Sequence, residues 1–219
     1  MAEIITTADG SHTIFVSELD EHYHSVNGAI QESLHVFIKN GFEETEVNPV
    51  NILEIGFGTG LNVFLTAIRA EETNREVVYT TIEKYPLSEE ITNALNYDVQ
   101  CCGNSELFRQ IHAAPWNCYH KISELFTIRK IEADALEVIP EGKYNLIYFD
   151  AFAPSKQPGM WSKEIFEKIS LVTLKSGVFV TYSAKGDVKR NLKSCGFDIT
   201  LLPGPPGKRH IIRAMKKDN

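Results

Sequence analysis

Three glycines at alternate positions, Gly56, Gly58 and Gly60, follow the aliphatic run Val50-Asn51-Ile52-Leu53-Glu54-Ile55 and precede an amphipathic stretch from Leu61 to Glu72. A strand feeding a glycine loop that opens a helix is a general site for polar ligands. Glycine lets the backbone come close, and the first amides of the helix have no partners of their own. The spacing here is Gly-x-Gly-x-Gly, and Leu61 stands where the third glycine of the dinucleotide pattern would fall. Glu54 inside the strand, the shorter spacing and Asn62 favour S-adenosylmethionine over NAD as the ligand.

Acids at successive strand ends extend the pattern. Glu83 closes the β-branched run Val77–Ile82, where a carboxylate can take both hydroxyls of a ribose. Asp134 ends the Leu125–Ala133 run and is placed to accept from an adenine amino group. Each alone reads as a strand-end cap, but a glycine loop and two acids at consecutive strand ends read as a ligand crevice. Asp150-Ala151-Phe152-Ala153-Pro154 ends the next run. Beside a sulfonium methyl, Asp150 can accept a hydrogen bond from an amine, orient its lone pair and help it shed a proton. Phe152 is placed to wall a cation or stack on a base.

The elements that must position these residues alternate. Strands are expected at Val50–Ile55, Val77–Ile82, Leu125–Ala133, Tyr144–Phe149 and Gly177–Tyr182, with helices at Leu61–Glu72, Lys163–Leu174 and Asp187–Cys195 and a helix whose first turn holds Pro86. Phe197–Leu202 and His210–Met215 close the chain as an antiparallel pair across Pro203–Gly207. Residues 1–48 form an N-terminal lead-in with one helix at Ala29–Lys39, and residues 96–122 read as a helical insertion. The expectation is one α/β domain over 1–219, its mostly parallel seven-stranded sheet carrying an antiparallel edge and helices on both faces.

At 219 residues, with 43% hydrophobic and 23% charged side chains, the composition is that of an ordinary globular chain and excludes a disordered or fibrous one. No apolar run approaches a membrane span, and the start lacks a signal-peptide profile, so a cytoplasmic protein is expected. Four cysteines without a CxxC suit a reducing compartment, and Cys101-Cys102 reads as packing. His12, His22 and His24 match no metal-ligand spacing, so no metal is expected. Net charge is −7, yet residues 185–219 carry nine Lys or Arg against three acids. Such asymmetry marks either an anion-binding face on an acidic body or a run of solvated lysines.

Two long motifs, Ile52-Leu53-Glu54-Ile55-Gly56-Phe57-Gly58-Thr59-Gly60-Leu61-Asn62 and Asp150-Ala151-Phe152-Ala153-Pro154-Ser155-Lys156-Gln157-Pro158-Gly159-Met160-Trp161, resemble the methyltransferase half of the bifunctional tRNA-modifying MnmC family. Tyr23–Ser33 and Gly204–Arg209 resemble two further family motifs, so the likeness runs from about residue 17 to 215. It implies a class I (Rossmann-like) S-adenosylmethionine-dependent methyltransferase that converts 5-aminomethyl(-2-thio)uridine at the tRNA wobble position to its 5-methylaminomethyl form. By matching positions, Glu54, Gly56, Gly58, Thr59, Gly60, Asn62, Glu83, Asp134, Ala135 and Asp150 would hold the cofactor, with Asp150 at the transfer centre. Phe152, Lys156 and Trp161 would line the uridine pocket, Trp161 as a stacking surface; the alternatives are a core phenylalanine, a solvated loop lysine and a core plug, respectively. Lys208 and Arg209, with Lys185, Lys189, Arg190 and Lys193, would meet phosphates of an anticodon stem-loop. The family's FAD-dependent oxidase half has no counterpart here, which implies a separate oxidase or a ready-made aminomethyl precursor.

Other readings are a methyltransferase for a small-molecule or protein amine, a binding module without turnover, and a nucleotide-linked dehydrogenase, which the glycine spacing disfavours.

Overall fold

The computed structural model describes residues 2–101 and 103–218; Cys102, read above as packing, lies outside the described residues. The chain opens with strands β1 (Ala2–Thr6), β2 (His12–Val16) and β3 (Glu21–His22), which form a small antiparallel sheet in the order β1-β2-β3. This sheet stands where the sequence led us to expect only a lead-in and one helix. Its strands are five, five and two residues long, too short for alternation to declare them. The turn between β1 and β2 is held by Asp9, which accepts from the Ser11 backbone at 3.1 Å and from the Thr7 hydroxyl at 2.7 Å. Helix α1 (Ala29–Ser33) runs on as a π-helical segment over Leu34–Lys39, together matching the expected helix.

The main sheet is built from β4 (Val50–Ile55), β5 (Val77–Glu83), β6 (Tyr119–Lys121), β7 (Phe126–Glu132), β8 (Tyr144–Phe149), β9 (Thr173–Thr181), β10 (Phe197–Pro203) and β11 (His210–Lys216). Their order is β10-β11-β9-β8-β4-β5-β7-β6. The five central strands are parallel; at one edge β11 runs antiparallel to β9 and β10 antiparallel to β11, back in the central direction, and at the other edge β6 runs antiparallel to β7. The sheet thus has eight strands, not the expected seven, and two antiparallel edges, not one. The extra strand is Tyr119-His120-Lys121, exposed along its length and therefore without a hydrophobic signature. The insertion accordingly ends in a strand, after helices α4 (Tyr97–Gln100) and α5 (Ser105–Ala113).

Between the strands lie α2 (Leu61–Thr73), α3 (Glu89–Asn93), α6 (Lys163–Val172) and α7 (Gly186–Ser194). Helix α3 begins after the Ser88 cap, leaving Pro86 outside its first turn. Because side chains alternate across a strand, the central strands feed two cores. Ile52, Tyr79, Leu146 and Tyr148 pack with α2 and α5, whereas Leu53, Ile147, Phe149 and Phe179 pack with α6 and α7. Burial on both faces explains the near-continuous apolar strands. It leaves the carboxyl ends of β4, β5, β7 and β8 as neighbours along one rim.

Candidate active site

The glycine loop lies against two neighbouring strand ends. Gly56 donates to the Ile82 carbonyl at 3.0 Å, while Asp150 donates its backbone N–H to Ile55 at 3.0 Å. A Cβ at Gly56 would stand 2.8 Å from the Asp150 carbonyl oxygen, and its φ of +94° is also one that side chains avoid. At Gly58 the space is taken by the Tyr23 ring, 3.0 Å from where a Cβ would sit. Glu83 ties the loop to β5, one carboxylate oxygen accepting from Gly58 N–H at 3.0 Å and the other from Tyr85 N–H at 2.9 Å. Behind the loop Lys130, 1% exposed, donates to the His112 carbonyl at 2.6 Å and lies 4.9 Å from the Trp116 ring and 5.4 Å from that of Phe57.

One amide joins a buried carboxyl and a half-buried one. Asn62 Nδ2, on the first turn of α2, donates to Glu54 at 3.1 Å and to Asp150 at 2.8 Å. Thr81 donates to the other oxygen of Glu54 at 2.8 Å. Burial pushes Glu54 up to about 8, with Asp150 adding to the effect. Burial likewise pushes Asp150 up to about 7; the Glu32 carboxylate raises it further, and Asn62 and Lys208 oppose the rise. Asn62 Oδ1 stays buried with no partner in the protein, an acceptor that a bound donor would satisfy.

These residues line a cavity of about 940 Å³ at the rim. Of the expected residues, Gly56, Gly58, Thr59, Asn62, Glu83, Asp134, Ala135, Asp150, Phe152 and Lys208 face it; Glu54 and Gly60 stand behind its wall. Asp134 is held by Lys84 at 2.7 Å and by the Leu136 N–H at 2.9 Å; Lys84 foremost keeps its carboxyl below the ordinary range. Lys156 reaches Asp20 at 3.1 Å, outside the lining. Arg209 is exposed on the closing turn, also away from the cavity.

Trp161 does not serve as a stacking surface. It is 4% exposed, packs against Phe149, Phe166 and Tyr182, and donates its indole N–H to the Phe152 carbonyl at 2.8 Å. Its apolar faces are used by the second core before any base could reach them.

The segment after the small sheet, with α1, brings residues that sequence reasoning did not assign. Tyr23 meets Phe152 edge-on at 5.0 Å, and His24 Nε2 contacts Thr59 Oγ1 at 2.6 Å. Burial pushes His24 down to about 4, so it is neutral near pH 7. Glu32 pairs with Lys208, whose ammonium lies 4.3 Å from the Tyr182 ring centroid. Tyr182 in turn donates to the Ala151 carbonyl at 2.9 Å. The Tyr23–Ser33 motif was the available signal; its link to the glycine loop needed the fold. The three N-terminal histidines diverge, since His12 meets the Ala94 carbonyl and His22 packs on Phe15.

The lining carries six carboxylates (Glu18, Glu21, Glu32, Glu83, Asp134, Asp150) against two lysines, Lys84 and Lys208. Such a cavity suits a cationic ligand. The close-approach glycines, the Glu83 strand end and the unmet Asn62 acceptor fit S-adenosylmethionine. Topology and rim site together are those of a class I methyltransferase.

The chain belongs to the S-adenosyl-L-methionine-dependent methyltransferase family, whose model matches residues 105–217. Its relatives include the tRNA 5-methylaminomethyl-2-thiouridine biosynthesis bifunctional protein MnmC of Campylobacter hominis, 30% identical over 94% of this chain and 32% of that protein. The Marinomonas MnmC is 33% identical over 89% of this chain and 31% of its own length. The chain thus spans about a third of the curated relatives it matches. The crystal structure of MNMC2 from Aquifex aeolicus superposes with a TM-score of 0.80 at 27% identity, covering 100% of this chain and 71% of that one. Spermidine synthase from Thermotoga maritima, at 12% identity and a TM-score of 0.59, shares the fold.

Proposed function

We propose that residues 1–219 act as one methyltransferase domain that uses S-adenosylmethionine to convert 5-aminomethyl(-2-thio)uridine at the tRNA wobble position to 5-methylaminomethyl(-2-thio)uridine. The observation that carries this reading is Asp150, a half-buried carboxyl at the rim of an acidic cavity shared with the glycine loop. The names of the MnmC relatives supply the acceptor class.

Gly56, Gly58, Thr59, Asn62, Glu83, Asp134 and Ala135 would hold the cofactor from the cavity wall, with Glu54 and Gly60 supporting the loop from behind. When bound, the cofactor supplies an electrophilic methyl carbon on a positively charged sulfur. Asp150, fixed by Asn62, accepts an N–H of the acceptor amine and takes the proton that the nitrogen must shed. Tyr23 and Phe152 shield this end of the cavity from water. Most of the rate gain comes from holding the amine in line.

An acidic cavity repels phosphates, so only the base enters. The tRNA backbone would lie outside, on Lys185, Lys189, Lys193 and Arg209, which have no ion-pair partner among the described residues. An FAD-dependent oxidase activity would supply the aminomethyl tRNA, in the cytoplasm.

The test is methyl transfer from labelled S-adenosylmethionine to tRNA from cells lacking this gene, read by nucleoside mass spectrometry. A methyl gain on 5-aminomethyluridine is the expected result. Cofactor binding with no gain on that nucleoside would overturn the acceptor and turn the search to small-molecule or protein amines, which the same acidic cavity suits.

A further inference from the structure

Glu32 has no part in the chemistry described above, yet it faces the same cavity as Asp150. It is 6% exposed, and its two oxygens are held apart: one accepts from Ser25 N–H at 2.8 Å and the other pairs with Lys208. Lys208 rests on the Tyr182 ring, and Tyr182 is hydrogen-bonded to Ala151, the neighbour of Asp150. A continuous chain of contacts therefore places the Glu32–Lys208 pair beside the transfer centre. His24, close enough to feel both charges of this pair, is neutral and adds no charge. With Asp150 ionised, the Glu32 and Asp150 carboxylates face one ammonium and are one positive charge short of balance, and Glu21 in the same lining adds a further negative charge. Asn62 Oδ1, buried and unpartnered in the same lining, adds a neutral acceptor for an N–H.

We propose that Glu32 is a specificity-determining residue: with Asp150 it forms a two-carboxylate seat, partly offset by Lys208, that selects an acceptor bearing a positively charged primary amine over one whose side chain is neutral. This deepens the methyl-transfer reading and rests on it. An alcohol of the same shape leaves the seat unbalanced.

The experiment compares binding of 5-aminomethyluridine and 5-hydroxymethyluridine nucleosides by calorimetry with S-adenosylhomocysteine present. The wild type should prefer the amine by about tenfold or more, the equivalent of one favourable charge contact of about 1.4 kcal/mol. Glu32→Gln, which keeps an acceptor for Ser25, should bring the ratio to within about threefold. Glu32→Asp should retain the preference, and both variants should bind S-adenosylhomocysteine as the wild type does. An unchanged ratio in Glu32→Gln overturns the proposal, as does a loss of ratio matched by equal loss of S-adenosylhomocysteine affinity. If the wild type binds S-adenosylhomocysteine but neither nucleoside, the uridine reading fails on its own. The seat is then decided by an alkylamine against the alcohol of equal length: Glu32→Gln must again narrow the ratio, or the seat falls with it.

Discussion

Asp150 and Glu54 share one asparagine, and burial keeps both carboxyls well above their ordinary range. A proton acceptor at about 7 is matched to work near neutrality. Asp150→Ala should lower turnover by roughly a hundredfold or more with cofactor affinity nearly intact. In the wild type, the rate constant should fall as pH drops through about 7, because the protonated carboxyl can no longer accept. Stability runs the other way. A carboxyl whose folded value is raised binds more protons in the native state, so the protein loses stability as pH rises from the ordinary carboxylate range through about 7. Asp150→Asn should therefore raise the melting temperature by several degrees at pH 8 and change it little at pH 4. The residue types were legible in sequence as candidates; the shared amide, which makes them one unit, was not.

The small sheet is an element whose effect on the site runs through a few contacts. His24 holds Thr59 of the glycine loop, so His24→Ala should weaken S-adenosylmethionine binding about three- to tenfold, the range of one buried hydrogen bond. His24 also takes no proton in the fold until pH nears 4, while an unfolded histidine does so near its ordinary 6.5. Stability is thus lost as pH falls between those values, and His24→Ala should lose less of it over that window. The loop after β8 makes a second case. Trp161→Phe removes the N–H that satisfies the Phe152 carbonyl and should cost about 1–3 kcal/mol by denaturant unfolding, with the KM for tRNA unchanged. A rise in KM without loss of stability would instead restore the stacking role expected from sequence. That expectation failed because an aromatic in a loop motif carries no mark of which side its ring will face.

For the whole molecule, charge is sorted between inside and outside. The cavity is acidic, whereas the basic C-terminal segment lies largely on the surface, where several of its cations are already taken. Arg190 pairs with Asp187, Lys208 with Glu32, Arg213 with Glu44 and Lys217 with Asp198. Lys189 and Lys193 instead line a shallow depression with Ile199 and Leu201, between α7 and β10. Charge reversal at Lys189 and Lys193 should weaken tRNA binding and flatten its salt dependence, each lost phosphate contact lowering the slope by about 0.9. Methylation of the free nucleoside should stay unchanged. An unaltered salt slope would remove α7 from the RNA face.

Local chemistry determined much of this protein from sequence alone. Buried parallel strands must be apolar runs, a glycine loop must precede its helix, and acids at the ends of neighbouring parallel strands must meet at one rim, so β4, β5, β7, β8 and the cavity at their shared rim were legible. Tertiary structure decided what depends on distant pairs. The edge strand Tyr119–Lys121 exists because β7 offers it hydrogen bonds, not because its side chains ask for a sheet. The segment after β3 seats Tyr23 over Gly58, and α1 seats Glu32 beside Lys208, partners 35 and 176 residues apart. Periodicity reports which side of an element is buried; it holds no record of what lies across the gap.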